Sequence, residues 1–148
     1  MDLSLEPSAC RWVKPQSAYL HVPFCRHRCG YCNFSVVAGR DGWIERFLVA
    51  IDRELAWIDR PSVRTVFLGG GTPTHLDLPQ LERLLGMVRE RFDLHDDVEW
   101  SIEANPEDVT REKLEILVDH GVNPVSYTHL TLPTTWSRCS GRGSAGGG

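Results

Sequence analysis

The stretch Tyr19-Leu20-His21-Val22-Pro23-Phe24-Cys25-Arg26-His27-Arg28-Cys29-Gly30-Tyr31-Cys32-Asn33-Phe34 holds three of the five cysteines of this 148-residue chain within eight residues. It starts as a short apolar strand, Ala18 to Val22, and opens into a Cys- and Arg-rich loop reaching Gly39. In a reducing compartment such a cluster reads as metal ligation ahead of disulfides. Thiolates are the ligands of iron–sulfur clusters, and Cys25-x3-Cys29-x2-Cys32 can wrap one corner of a cubane. Three thiolates fill three irons and leave the fourth open, and an open metal position marks a site that binds substrate or cofactor. Zinc held by these Cys with His21 or His27 is a competing donor set. A Cys-x2-Cys redox pair is another, although the third Cys argues against it. Tyr31 and Phe34 offer aromatic cover beside the ligands, or ordinary packing.

Outward from this loop the pattern alternates strands and helices. Ile44, Phe47, Leu48, Ile51, Leu55 and Ile58 recur at helical spacing and predict an amphipathic helix of about four turns. Val63 to Leu68 is a β-branched and apolar strand that ends in Gly69-Gly70-Gly71-Thr72-Pro73. Pro79 suits a helix's first turn, and Leu81, Leu84, Leu85, Val88 and Phe92 form a buried stripe. Val98 to Glu103 alternates as a third strand, and Asn105-Pro106 turns the chain. Thr110 can cap a third helix, buried through Leu114, Leu117 and Val118 and stopped by Gly121. Three β–α units in series predict an α/β fold with a parallel sheet. Three units cannot close a barrel, so the chain is expected to be part of one.

Residues 1–16 read as a leader and 17–123 as the partial core. After Asn123 a fourth strand is due. Instead Pro124 to Thr134 resembles a reading frame through a transposase-type sequencing adapter, and Thr135 to Gly148 is rich in Gly, Ser and Arg without periodicity. Residues 124–148 are therefore expected to be a non-native tail, and Cys139 within it is given no function. A half-barrel exposes a strand edge and an apolar face, so residues 1–148 alone are expected to be poorly stable and inactive.

The composition, 41% hydrophobic and 24% charged with net charge −4, is that of a globular protein. It has no basic block, so nucleic acid or an anionic membrane is not an expected partner. Lys14 and Lys113 are the only lysines among many arginines, which reads as codon bias. No apolar run spans a bilayer, and residues 1–16 lack the hydrophobic region of a signal peptide. The expected compartment is the cytosol, where the Asn33-Phe34-Ser35 sequon is accidental.

Tyr19-x-His21-Val22-Pro23-Phe24-Cys25-x3-Cys29-x-Tyr31-Cys32-x-Phe34 resembles the signature of radical S-adenosylmethionine (SAM) proteins of the oxygen-independent coproporphyrinogen III oxidase and haem chaperone family. Gly69-Gly70-Gly71-Thr72-Pro73-Thr74 and Ser101-Ile102-Glu103-Ala104-Asn105-Pro106 resemble two further motifs of that family in the same order. The resemblance covers about residues 17–123. It implies a partial (β/α)6, TIM-like radical SAM barrel, with its site at the C-terminal ends of the strands. It implies a [4Fe-4S] cluster on Cys25, Cys29 and Cys32, whose open iron takes the amino and carboxylate groups of SAM. It also places Gly70, Gly71, Thr72, Glu103, Tyr19 and Tyr31 in the SAM pocket. Taken alone, the triple glycine is a weak signal, since it lacks the Lys-Ser/Thr of a phosphate loop. A lone Glu is usually solvated. His75 and His95 have no motif support and are expected at the surface.

The resemblance further implies haem or a porphyrinogen as partner, with an electron donor to the cluster. Two departures choose between branches. The oxidases carry a further Cys two positions after the third ligand, where this chain has Phe34, and they have a longer N-terminal segment. Both features are similar to the haem-chaperone branch, which binds haem and delivers it. An oxidase that converts propionates to vinyl groups is the alternative, and a radical SAM enzyme of another substrate is a third.

Overall fold

The computed structural model describes residues 14–28, 30 and 33–123, and the backbone of 127–129. In chain order its elements are β1 (Ser17–Val22), β2 (Phe24–Cys25), β3 (Val37–Ala38), α1 (Ile44–Leu55), β4 (Ser62–Gly70), α2 (Leu78–Arg91), β5 (Asp93–Ala104), α3 (Arg111–Asp119) and β6 (Tyr127–His129). Single 3-10 turns lie at Asp41–Trp43, Pro73–His75 and Pro106–Asp108. The main sheet has the order β1-β4-β5-β6, and every pair is parallel. Parallel neighbours need a crossover connection, and α1 and α2 provide those from β1 to β4 and from β4 to β5. The expected α/β architecture of three β–α units is present.

One face of the sheet packs on the helices. Leu20, Val22, Val66, Leu68, Trp100 and Ile102 are buried with Leu48 of α1, Leu81, Leu84, Leu85 and Val88 of α2, and Leu117 of α3. Side chains alternate along a strand, so Tyr19, His21, Phe67, Gly69, Ser101 and Glu103 share the other face. The pairings Tyr19↔Phe67↔Ser101 and His21↔Gly69 align them in rows.

The helix ends correct the stripes read from periodicity. α1 stops at Leu55, so it has three turns rather than about four, and Ile58 is exposed. Its last bonds tighten to Trp57 N–H on the Glu54 carbonyl and Ile58 N–H on the Leu55 carbonyl. Pro61 lacks a donor and disfavours helical backbone at the residue before it; Arg60 there takes φ +34°. α2 begins with a capping box: Asp77 Oδ1 accepts from Gln80 N at 2.9 Å, and Gln80 Oε1 accepts from Asp77 N at 3.1 Å. Phe92 is buried just beyond the end of α2. Thr110 caps α3 as expected, accepting from Lys113 N, and Gly121 ends the segment at φ +89°. Of the α3 stripe only Leu117 is buried; Leu114 and Val118 are exposed, because no described element covers that face.

β5 starts five residues earlier than the alternation suggests, at Asp93. A register shift against β4 between Val63 and Thr65 absorbs the polar run His95-Asp96-Asp97. Asn123 ties the end of the third unit to this strand, with Trp100 N–H donating to Asn123 Oδ1 at 2.6 Å and Asn123 N–H donating to the Trp100 carbonyl at 3.0 Å. The leader through Val13 and most of 124–148 lie outside the described residues. Within that stretch the backbone of Tyr127–His129 occupies the fourth-strand position, beside Ile102–Ala104. An open strand edge pairs with any extended backbone, whatever its side chains.

Leu84 is fully buried and Trp57 is 86% exposed. Leu84→Ala should therefore cost about 2–5 kcal/mol and Trp57→Ala less than about 0.5 kcal/mol, measured by urea unfolding.

Candidate functional site

Because the strands run parallel, their C-terminal ends lie together, and the three motifs follow those ends. β1 stops at Val22, which pairs with Gly70 at the end of β4. Two backbone bonds then lace the glycine loop to the cysteine loop. Gly71 N–H donates to the Val22 carbonyl and Thr72 N–H to the Phe24 carbonyl, both at 2.8 Å. This brings Thr72 Oγ1 to 3.7 Å from Cys25 Sγ. Cys25 ends β2, which pairs with β3 through Phe24↔Val37 and Cys25↔Ala38.

Two glycines make this approach possible. A Cβ on Gly71 would lie 2.6 Å from the Phe24 carbonyl oxygen and 2.7 Å from the Pro23 carbonyl carbon. Both are backbone atoms that cannot turn aside. Gly70 has φ +110°, and a Cβ there would meet the His21 ring. Gly70 N–H donates to Glu103 Oε2 at 2.8 Å, which links the end of β4 to that of β5.

His21 lies across this junction. Its Nε2 is 2.9 Å from the Ser35 carbonyl, and its Nδ1 is 3.2 Å from the Tyr19 hydroxyl. A carbonyl only accepts, so Nε2 carries the hydrogen; Nδ1 of the neutral ring then accepts from the phenol. With both nitrogens engaged, His21 is not presented as a zinc ligand, and His27 is exposed. Tyr19 stacks on Phe67 with ring centroids 5.7 Å apart. Partial burial raises its pKa above the usual phenol value, and the Glu103 charge adds to the rise. At neutral pH the phenol keeps its proton and its bond to His21.

The structure thus gathers Tyr19, Cys25, Gly70, Gly71, Thr72 and Glu103 on one rim. Cys29, Tyr31 and Cys32 lie outside the described residues. Phe34, read as aromatic cover, is exposed. His75 is not the surface residue expected. Its side chain is 11% exposed and bonds Asp41 Oδ1 at 3.0 Å, because the turn Pro73–His75 folds it toward the turn Asp41–Trp43. His95 stays partly exposed beside Asp97. His21 stands in the sequence as a member of the Tyr19-x-His21-Val22-Pro23-Phe24 motif and as a rival zinc ligand, with no role of its own assigned. Its position two residues from Tyr19, on the same strand face, was the signal for its structural role.

These features match known proteins. A model of the radical SAM superfamily matches residues 19–135. The chain belongs to the radical SAM superfamily, on the branch that holds the HemW haem chaperones and the HemN oxidases. Membership of the superfamily implies a [4Fe-4S] cluster and SAM. The chain is 41% identical over 129 residues to heme chaperone HemW of Lactococcus lactis, which covers 87% of this chain and 34% of that protein. It is 34% identical over 119 residues to oxygen-independent coproporphyrinogen III oxidase of Salmonella typhimurium, covering 76% and 26%. The solved coproporphyrinogen III oxidase HemN of Escherichia coli, a radical SAM enzyme, superposes with TM-score 0.68 at 32% identity over 74% of this chain and 26% of that one. The chain spans about a third of the length of the HemW relatives it matches. Among the described residues no helix is long and apolar enough to cross a membrane.

Gly71→Ala should break the lacing of the two loops and lower stability by more than about 2 kcal/mol, read by urea unfolding. Glu103→Gln removes a carboxylate charge that raises the Tyr19 pKa. Absorbance titration, with Tyr19→Phe as reference, should show the Tyr19 pKa fall while staying above its ordinary value, since the larger cause, burial, remains.

Proposed function

We propose that Cys25, Cys29 and Cys32 hold a [4Fe-4S] cluster with one open iron, and that Tyr19, Tyr31, Gly70, Gly71, Thr72 and Glu103 form the pocket for SAM. The residues suit that pair. Three thiolates in one short loop are the donor set of such a cluster. Gly70 and Gly71 let the glycine loop close on His21 and on the Pro23–Phe24 backbone, which sets that loop beside Cys25, where a ligand on the cluster would lie. Glu103 uses one oxygen on Gly70 N–H, and a carboxylate has acceptor capacity for a ligand's amino or hydroxyl groups as well. Thr72, tied to Phe24, keeps the glycine loop beside Cys25. When bound, the cluster and SAM supply a 5′-deoxyadenosyl radical by reductive cleavage, with the electron coming from an external donor.

For the whole protein we favour a haem chaperone that resembles HemW, with haem as its cargo. The observation that carries this reading is Phe34, which stands where the oxidases carry a further Cys. The HemW relatives, at 36–41% identity in L. lactis, B. subtilis and E. coli, agree with it. The second reading is oxidative decarboxylation of coproporphyrinogen propionates to vinyl groups. It is favoured by the 34% identical Salmonella oxidase and the fold of HemN.

Two measurements test these readings. The triple variant Cys25→Ala, Cys29→Ala, Cys32→Ala should take up no cluster on anaerobic reconstitution, while Cys139→Ala should load as wild type; a cluster in the triple variant would refute the ligand assignment. The full-length parent should bind haem and yield no vinyl product from coproporphyrinogen with SAM and a reductant. Vinyl product at a useful rate would establish the oxidase instead.

A further inference from the structure

Among the described residues two polar side chains are buried, Thr74 and Asp108, and one network holds both. Asp108 closes the turn Pro106–Asp108 that follows β5. Its Oδ1 accepts from Arg26 Nη2 at 2.6 Å, and its Oδ2 accepts from Asn105 Nδ2 at 3.2 Å. Asn105 N–H donates to Thr74 Oγ1 at 3.2 Å, and Lys113 Nζ donates to the Thr74 carbonyl at 2.6 Å. Arg26 directly follows Cys25, and Thr74 lies two residues past Thr72. The network therefore joins the three loops that carry the cysteine, glycine and Glu103 motifs.

The asymmetry of burial says which partner fixes which. The Asp108 side chain is 3% exposed and that of Arg26 is 57% exposed. A buried carboxylate is costly unless it is paired and hydrogen-bonded. Packing does not confine Arg26, whereas the need of Asp108 for a cation draws it across. A charge-assisted bond of this length is among the stronger polar contacts. It reaches between residues 82 positions apart, so it restrains the cysteine loop in a way no local contact does.

We infer that Asp108 is a positioning residue for the cofactor site. Through Arg26 it holds the start of the cysteine loop to the turn that follows β5 before any cofactor is present. The inference rests on the reading of Cys25 as a cluster ligand; the loop restraint can be measured without it.

The test uses the whole chain as wild type, Arg26→Met, Arg26→Lys and Asp108→Asn, with Arg111→Ala as a control that breaks the exposed Arg111–Glu115 pair. Arg26→Met leaves the buried Asp108 with its Asn105 bond but without the arginine, so stability falls; exchange at residues 24–28 is therefore read relative to exchange in α2, which reports global unfolding. In the apoprotein, hydrogen exchange at residues 24–28 should be about tenfold faster in Arg26→Met, intermediate in Asp108→Asn and unchanged in Arg111→Ala. Arg26→Lys should restore near-wild-type exchange, since one nitrogen makes the contact. After anaerobic reconstitution, iron content should fall in Arg26→Met and return in Arg26→Lys. Unchanged exchange in both Arg26→Met and Asp108→Asn would overturn the restraint, even if wild type loads a cluster. Faster exchange with undiminished loading would make the contact merely structural and overturn the positioning role. If wild type loads no cluster at all, the ligand reading fails and the positioning role with it, whatever the exchange shows.

Discussion

The site depends on a close approach between two backbones. Thr72 N–H reaches the Phe24 carbonyl and Gly71 N–H the Val22 carbonyl, and a Cβ on Gly71 would lie within 2.8 Å of the Pro23 and Phe24 carbonyls. No side chain of any size fits at that point. The glycine loop and the cysteine loop are thus a single object, although 47 residues separate Cys25 from Thr72. Everything else on the rim is placed relative to this contact. Val22 and Gly70 are in register because the strands are parallel, and Glu103 is drawn in by the amide of Gly70.

The period of the strands explains how a stable core and a polar site share one sheet. Leu20, Val66, Leu68, Trp100 and Ile102 face the helices, and their neighbours Tyr19, His21, Phe67, Ser101 and Glu103 face the other way. A one-residue slip would exchange the two sets, so burial of the first fixes the display of the second. On the polar side His21 donates to Ser35 and accepts from Tyr19, which fastens the far end of the cysteine loop to β1. Arg26 and Asp108 fasten its near end to the turn after β5. The loop is therefore held from both sides by residues that are not themselves candidate ligands.

Much of this was legible from local pattern. β1, β4 and the Leu81-Leu84-Leu85-Val88 stripe of α2 follow apolar periodicity, and Thr110 and Gly121 mark the ends of the third helix as their chemistry requires. The motifs were found at strand ends because Gly and Asn-Pro punctuate the chain there. Periodicity failed where tertiary context decides. It carried Ile58 into a helix that Pro61 cuts short, and it buried Leu114 and Val118 on a face that no described element covers. The capping box of Asp77 and Gln80 was present in the sequence as Asp-x-x-Gln and went unread behind Pro79. The β2–β3 pair is two residues long, too short for any period to show. The Arg26–Asp108 contact has no local signature, since the two residues lie 82 positions apart and no spacing links them.

The central claim is that the cysteine loop leaves one iron open and that the adjoining glycine loop and Glu103 bring SAM to it. Electron paramagnetic resonance of the reduced, reconstituted protein tests this most directly, with spectra recorded before and after addition of SAM. The account predicts that SAM changes the cluster signal, and that Glu103→Gln shifts this change to higher SAM concentration while leaving the SAM-free spectrum as in wild type. A cluster signal that SAM leaves unaltered would contradict it, since the cluster would then have no position open to the ligand.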